Sequence, residues 1–381
     1  MEFGFTPEQE LIRKAAREFA EEIIAPRVTE MESNREPPMD LFKEMGNRGF
    51  LGITVPPEYG GTGLGYVART IAIEEISRIS PAMGYMLQVF ALGMAPILDY
   101  GTDEQKQKYL PDLVTGDKFA TVTVTEATGG TDPRGITMTA TREGDHFVLN
   151  GRKVFITGSS LCYAQTVTAI TGEDERGRKE ITAFLVTSDM DGFRAGREEH
   201  KVGLWGTQLG ELVLENCIVP EENVLLKQGK GLRVALTAIS ETGRPGVAAV
   251  ALGVIARALE ESVKFGNERV VGGSPIGQYQ GIQFKIADMS VALDAARFLC
   301  YRASWMKDQG VRCDVEMAKG KLFATEAAMI ASRHCAEIYG GYGWLEEYVA
   351  QQLYRDAGIL IPSAGTSESM RIVIGRTALK G

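Results

Sequence analysis

The chain has little with which to hold a metal. Its 381 residues include three histidines (His146, His200 and His334), with no HExxH motif and no clustered ligand set, which argues against a metal centre. Five cysteines, Cys162, Cys217, Cys300, Cys313 and Cys335, are widely spaced and form no CxxC pair. An odd number in that pattern fits reduced thiols, not a disulfide framework. No apolar run is long enough to suggest a membrane-spanning helix. Positive charge is in deficit, with 41 Lys and Arg against 50 Asp and Glu, a net −9. That balance argues against nucleic acid as a partner, and an anionic ligand would need a local basic patch. A strand–GxGxxG–helix unit for a nicotinamide dinucleotide is also missing. The opening Met1–Glu10 segment is acidic and polar, unlike a signal or transit peptide. With reduced thiols, this gives the expectation of a cytoplasmic protein.

What is present changes texture twice. Apolar residues at 44% and charged residues at 24% are globular values, and the length suggests two or three domains. Residues 1–115 read as helices. Thr6-Pro7-Glu8 is a capped start, and Leu11, Ala15, Phe19 and Ile23 follow at helical spacing. Gly101-Thr102-Asp103 stops one helix and caps the next. Over 116–228 the period moves toward two. Val- and Thr-rich strands alternate with turns at Glu143-Gly144-Asp145 and Asn150-Gly151, the second also read as a hairpin. Many short strands point to a compact barrel or sandwich. Over 229–381 long Ala-rich helices return, one with Pro245 in its first turn, as expected of a helical bundle. The fold class is α+β: helical domain, β-barrel-like domain, four-helix bundle.

One segment, Arg355-Asp-Ala-Gly-Ile-Leu-Ile-Pro-Ser-Ala-Gly-Thr-Ser-Glu-Ser-Met-Arg371, resembles the signature that closes the active site of acyl-CoA dehydrogenases. There the segment usually reads R-D-A…Y-E-G-T-S, and its Glu is the base. The three-domain order is that of the same family. Val124-Thr125-Glu126-Ala127-Thr128-Gly129-Gly130-Thr131-Asp132 is similar to the family's V-T-E-P-x-A-G-S-D. The resemblance implies that Val124, Thr125, Gly130 and Thr131 lie along a flavin, with Thr131 also at the substrate. Taken alone, the stretch is a Thr/Gly-rich loop after a strand. Lys153-Val154-Phe155-Ile156-Thr157 resembles K-x-W-I-T, which implies flavin contacts from Phe155 and Thr157.

Glu268-Arg269-Val270-Val271-Gly272 resembles E-R-x-x-F. Arg269 would then reach the FAD pyrophosphate of a neighbouring subunit, a task suited to a guanidinium. Gln280 matches a Gln of the following helix. Glu337-Ile-Tyr-Gly340-Gly341-Tyr-Gly343 resembles Q-x-F/Y-G-G-x-G, a clasp for the adenosine half of FAD, with Glu337 in place of Gln. The resemblance also implies cofactor contacts from Thr366 and Glu368, and substrate contacts from Arg244, Tyr85 and Gly365. It further implies FAD as cofactor, an acyl-CoA substrate, an electron-transfer flavoprotein as acceptor, and a homotetramer.

The base of that family is absent. Ala364 occupies the Glu position, and Gly243 occupies the alternative position before Arg244 that some branches use. The Ala364 N–H can still polarise a thioester carbonyl. Three explanations follow. A substrate with an α,β double bond would need its base opposite another carbon, as in the cyclohex-1-ene-1-carbonyl-CoA dehydrogenases, which this chain resembles in lacking the Glu. The slot used there falls in Gln88-Val-Phe-Ala91-Leu-Gly93, with Ala91 as the expected match and no acid in the stretch. Tyr85, Glu241 and Asp99 are reserves. The second explanation is a non-dehydrogenating flavoprotein of the same fold, lyase- or desulfinase-like. The third is a catalytically impaired acyl-CoA-binding variant.

Overall fold

A computed structural model describes residues 4–380. The first third is helical: α1 (Pro7–Glu18), α2 (Val28–Asn34), α3 (Met39–Asn47), α4 (Gly65–Ile79), α5 (Pro81–Tyr100) and α6 (Asp103–Val114). Thr6 and Thr102 each form a capping box with the Gln three residues on, Gln9 and Gln105, so two helix starts expected from sequence have a physical cause. Helix α5 is apolar and long enough to cross a membrane, with mean hydropathy 1.4, but 89% of it is buried inside the protein. It is a core helix, and its Phe90 stacks on Phe119 at 4.2 Å.

Seven strands follow: β1 (Ala120–Thr123), β2 (Thr139–Glu143), β3 (His146–Thr157), β4 (Ala164–Glu173), β5 (Lys179–Thr187), β6 (Phe193–Glu198) and β7 (Leu209–Pro220). They form one curled sheet in the order β1-β4-β2-β3-β7-β6, with β5 also paired to β4. Phe147, Leu149, Val167, Phe184 and Leu212 close a separate apolar core. The Asn150-Gly151 hairpin expected from sequence is corrected here. Strand β3 runs straight through, and the register against β7 shifts between Leu149 and Gly151. Gly151 is required there because a Cβ would lie 2.8 Å from the Met138 Cβ. The dipeptide marks a bulge and a close approach, not a reversal.

The last third holds α7 (Gly231–Ala238), α8 (Arg244–Glu268), the short pair β8 (Val270–Val271) and β9 (Ser274–Pro275), α9 (Gln280–Asp308), α10 (Asp314–Tyr339), α11 (Val349–Leu360) and α12 (Ser367–Ala378). Helices α8 to α11 form the bundle, and α12 packs on α10. Helix α8 is buried almost all round from Pro245 to Ala256, because α4, α5, α9, α10 and α11 surround it. Gly253 lets α4 approach closely, since a Cβ there would sit 2.6 Å from Glu74 O.

The three parts are tied at one junction. Arg355 donates to Glu32 (2.7 Å), to Gln351 Oε1 (2.6 Å) and to Val202 O (3.3 Å). Its guanidinium lies 3.6 Å from the centre of the Trp205 ring, and Arg35 covers the same ring at 3.8 Å. Next to it, buried Asp356 accepts from the Leu204 N–H, while its Oδ2 has no partner. Burial, with the Glu32 charge adding to it, pushes the Asp356 carboxyl up to about 7. The folded state therefore holds a proton that the unfolded chain releases near its ordinary pKa of about 3.9. Stability contributed by this group should fall as pH rises from about 4 to about 7, then level off. Asp356→Asn should flatten that part of the profile, as read from thermal midpoints at closely spaced pH. An unchanged slope would show that Asp356 is not its source.

Candidate active site

After β1 the chain enters the Val124–Gly135 loop, which a buried ion pair anchors from beneath. The Glu126 carboxylate accepts from Thr137 N (2.6 Å), Thr137 Oγ1 (2.7 Å) and Met138 N (3.2 Å). Lys153 Nζ, with no solvent exposure, donates to Glu126 (2.8 Å), Val124 O (3.1 Å) and Thr168 Oγ1 (3.2 Å). Burial would raise the Glu126 carboxyl, but the Lys153 charge and the hydrogen bonds outweigh it and hold it low. Burial brings Lys153 down to about 8, so the pair is ionised at neutral pH. Val124 is buried, Thr125 partly so, and Gly130 and Thr131 are exposed above this anchor.

The strand that carries Lys153 also presents Phe155. This residue sits at φ +56°, and its ring is 65% exposed. A non-glycine residue there costs on the order of 1–3 kcal/mol. The register break between Lys153 and Ile156 accommodates it. Thr157 is half-buried two residues on, and its carbonyl accepts from Thr121 Oγ1 at 3.0 Å. A strained aromatic turned outward beside a threonine and a Gly-rich loop is a platform for a flat ring.

The second wall is the turn from α11 to α12. Ala364 lies at φ +51° and Gly365 at φ +106°. Lys321 Nζ donates to Ile361 O (2.6 Å) and Gly365 O (2.8 Å) from a buried position, and burial brings its pKa down to about 8. Thr366 caps α12 by accepting from Ser369 N at 3.2 Å, Ser367 donates to Glu326 at 2.6 Å, and Glu368 is exposed in the first turn. Tyr85 of α5 reaches this turn, its hydroxyl 3.2 Å from Ser363 Oγ.

The third wall is a π-helical turn, Ile239–Gly243, leading into α8. A Cβ at Gly243 would lie 3.5 Å from the Ala364 Cβ and 3.5 Å from a Leu92 methyl. The two positions singled out for a base therefore face each other. On α5, Leu92 is the side chain that lies against Gly243, on the same helix face as Tyr85. Ala91 is buried 100° further round the helix. Of the reserve acids, Glu241 is paired with Lys307, and burial raises the Asp99 carboxyl. Arg244 is mostly buried, and its Nε has no partner. It borders a groove of about 420 Å³ that Arg134, Arg233, Leu236 and Val373 also line. This is the basic patch that the net charge left to be found.

A further cluster lies on the bundle. Arg269, Gln280, Glu337, Gly340 and Gly341 are all exposed. The Arg269 guanidinium is 5.8 Å from the Tyr342 ring centre. Glu337 is ion-paired with Lys285, with Arg333 and His334 at 3.6 Å, and the Lys285 hydrogen bond holds its carboxyl low. The Gln-to-Glu change therefore brings its own neutralising cations. Gly340, at φ +61°, opens the turn that follows α10. This cluster and the Phe155 platform belong to different domains.

Three family models cover the chain: acyl-CoA dehydrogenase N-terminal domain over residues 6–117, middle domain over 121–217 and C-terminal domain over 229–379. The chain belongs to the acyl-CoA dehydrogenase family. It is 41% identical to an acyl-CoA dehydrogenase of Bacillus subtilis over 99% of both chains. The butyryl-CoA dehydrogenase of Megasphaera elsdenii superposes over all of both chains with a TM-score of 0.96 at 35% identity. A chain of the structure described as the electron transferring flavoprotein of Acidaminococcus fermentans does so with a TM-score of 0.97 at 38% identity. The protein is thus an FAD-dependent oxidoreductase that acts on acyl-CoA. Its surface suits that cofactor: Phe155 offers a face to an isoalloxazine, and the Gly340-Gly341 turn leaves open backbone for an adenosine.

Sequence reasoning passed over Lys321, although helical spacing places it on the same stripe as Met317, Ala324 and Ala328. A lysine on an apolar stripe is a signal that it has backbone to hold. The Lys153–Glu126 pair is testable directly. Lys153→Met would leave a buried carboxylate without its cation, an expected loss of ~3–5 kcal/mol. The thermal midpoint should fall by several degrees and FAD should dissociate more readily. An unchanged midpoint and unchanged FAD retention would remove the pair as the anchor of this loop.

Proposed function

We propose that the chain oxidises an alicyclic or already unsaturated acyl-CoA, of the cyclohex-1-ene-1-carbonyl-CoA type. The observation that carries this reading is the paired vacancy at Gly243 and Ala364: a Cβ at Gly243 would lie 3.5 Å from the Ala364 Cβ and 3.5 Å from a Leu92 methyl. A positioned base is worth ~10²–10⁴-fold when an α-proton must be taken from a saturated thioester. Conjugation with an α,β double bond acidifies protons further along the chain, so a carboxylate at Ala364 would face the wrong carbon. Apolar residues at all three positions suit a hydrocarbon acyl group. The Ala364 N–H, in a turn pinned by Lys321, would hold the thioester carbonyl oxygen. The Arg244 groove, with Arg134 and Arg233, suits the CoA phosphates. Bound FAD supplies the hydride acceptor. An electron-transfer flavoprotein is the proposed next acceptor, in line with the similarity to the Acidaminococcus fermentans chain.

The same reading includes a homotetramer. Phe284, Val291 and Trp305, each more than half exposed, recur along α9 at multiples of seven residues. Such a stripe is what a partner helix covers. Arg269, exposed beyond α8, would then meet a neighbour's FAD. Arg269→Ala should weaken FAD binding by about 1.5–3 kcal/mol, the worth of a charge-assisted bond to phosphate. Equilibrium flavin titration of the oligomer reads this, and an unchanged affinity would cancel the assignment across the interface.

The substrate reading is tested by putting a carboxylate back. Ala364→Glu should raise α,β-dehydrogenation of cyclohexanecarbonyl-CoA by at least tenfold, within the ~10²–10⁴-fold range of a placed base. Leu92→Asp should instead raise turnover of cyclohex-1-ene-1-carbonyl-CoA. Anaerobic flavin bleaching and product identification by mass and NMR distinguish the two. Fast α,β-dehydrogenation of the saturated thioester by the unaltered chain would sink the argument from the vacancy.

A further inference from the structure

Arg69 is a buried cation without a counter-ion. It projects from α4 and is 2% exposed. One nitrogen is used: Nη1 donates to Thr242 O at 3.1 Å, the residue before Gly243. The other edge, Nε and Nη2, is buried and has no partner. Among the described residues no carboxylate pairs with it, and its ionisable neighbour is Tyr66, whose ring centre lies 6.0 Å away. The Tyr66 hydroxyl is itself engaged with Thr242 Oγ1 at 3.1 Å. Beside Arg69 stands Gln88, also 2% exposed, whose Oε1 has no partner. Gly246 separates them from the axis of α8, and a Cβ there would lie 2.6 Å from Arg69 Nη2 and 2.7 Å from Gln88 Cγ. A side chain at 246 would therefore collide with the Arg69 guanidinium and the Gln88 stem.

This pair belongs to the acyl end of the site. Tyr85, Gln88 and Leu92 share one face of α5. Tyr85 touches Ser363, and Leu92 meets Gly243. Gly246 is one turn of α8 beyond Gly243, roughly 4.5 Å deeper along the helix. Leaving a guanidinium buried and unpaired is costly, and loss of solvation on burial lowers its pKa to about 10. It remains charged at any physiological pH. The free Nε–Nη2 edge is the one that takes a carboxylate by two parallel hydrogen bonds. The Gln88 amide can turn its NH₂ to the same anion.

We propose that the missing counter-ion arrives with the substrate: the acyl group carries a carboxylate at its far end, so the ligand class is a dicarboxylic acid bound as its mono-CoA thioester. This rests on the reading of the Gly243–Ala364 pair as the acyl site and narrows its substrate. The anion would be held by Arg69 and Gln88 behind the reacting carbons, with a short spacer between them.

The test is binding, which needs no turnover. Anaerobic calorimetric titration of the FAD-loaded oligomer compares glutaryl-CoA and adipyl-CoA with hexanoyl-CoA, which lacks the second carboxylate. The unaltered protein should bind one of the carboxylated thioesters roughly 10- to 100-fold tighter than the neutral one, the worth of a charge-assisted contact. Arg69→Met should abolish that preference and improve binding of hexanoyl-CoA, while Arg69→Lys should keep part of it. Equal or weaker binding of both carboxylated thioesters by the unaltered protein overturns the inference and leaves the acyl-CoA site standing. A preference that survives Arg69→Met overturns the assignment to Arg69. Should Arg69→Met fail to fold, Gln88→Leu and the comparison on the unaltered protein decide, with Gln88→Leu expected to reduce the preference severalfold. Binding of cyclohex-1-ene-1-carbonyl-CoA but of none of the three overturns this inference alone, and no binding of any of the four overturns it and the site reading together.

Discussion

Lys321 donates from the interior to the carbonyls of Ile361 and Gly365, and the geometry of the reacting end hangs on those two bonds. The carbonyls at the end of α11 have no helical partners, and the turn after them holds Ala364 at positive φ. An ammonium there satisfies the orphan acceptors and complements the helix dipole. It also pins the turn on both sides of Ala364. A neutral side chain of the same length could fill the volume but not hold two carbonyls.

The same device recurs on the opposite wall. Lys153 is as deeply buried and holds Val124 O and the Glu126 carboxylate. Above it lie the Gly-rich loop and the strained Phe155. Two buried ammoniums thus anchor the Gly-rich loop and the α11–α12 turn. Each is tolerated because its hydrogen bonds are met by backbone or by a partner charge. Arg69 is the contrast. It is nearly as buried as either lysine, yet its Nε–Nη2 edge has nothing to bind.

Charge on the rest of the surface follows the same economy. The chain is acidic as a whole, but arginines gather at the Arg134–Arg233–Arg244 groove. Glu337 intrudes on the proposed adenosine clasp with Lys285, Arg333 and His334 around it. The local field there is set by the cluster and not by the carboxylate alone.

Much of this was legible in the linear chain. Capping boxes at Thr6 and Thr102, the Val/Thr-rich middle and the long Ala-rich helices fixed the element order because each is a local preference. The vacancies at Gly243 and Ala364 were legible too, since the flanking Arg244 and Gly365-Thr366-Ser367 mark the positions. What escaped was whatever depends on distant segments meeting. Lys153 finds Glu126 across 27 residues, and Arg69 finds Thr242 across 173. Asn150-Gly151 has the local chemistry of a reversal, but pairing of β3 with β7 on both sides of it keeps the strand running. That Leu92 lies against Gly243 was not legible, because α5 is apolar on nearly every side and its sequence has no polar face from which to read its rotation. Only the packing of α5 against α8 and the Ser363–Ala364 turn decides which of its residues look into the site.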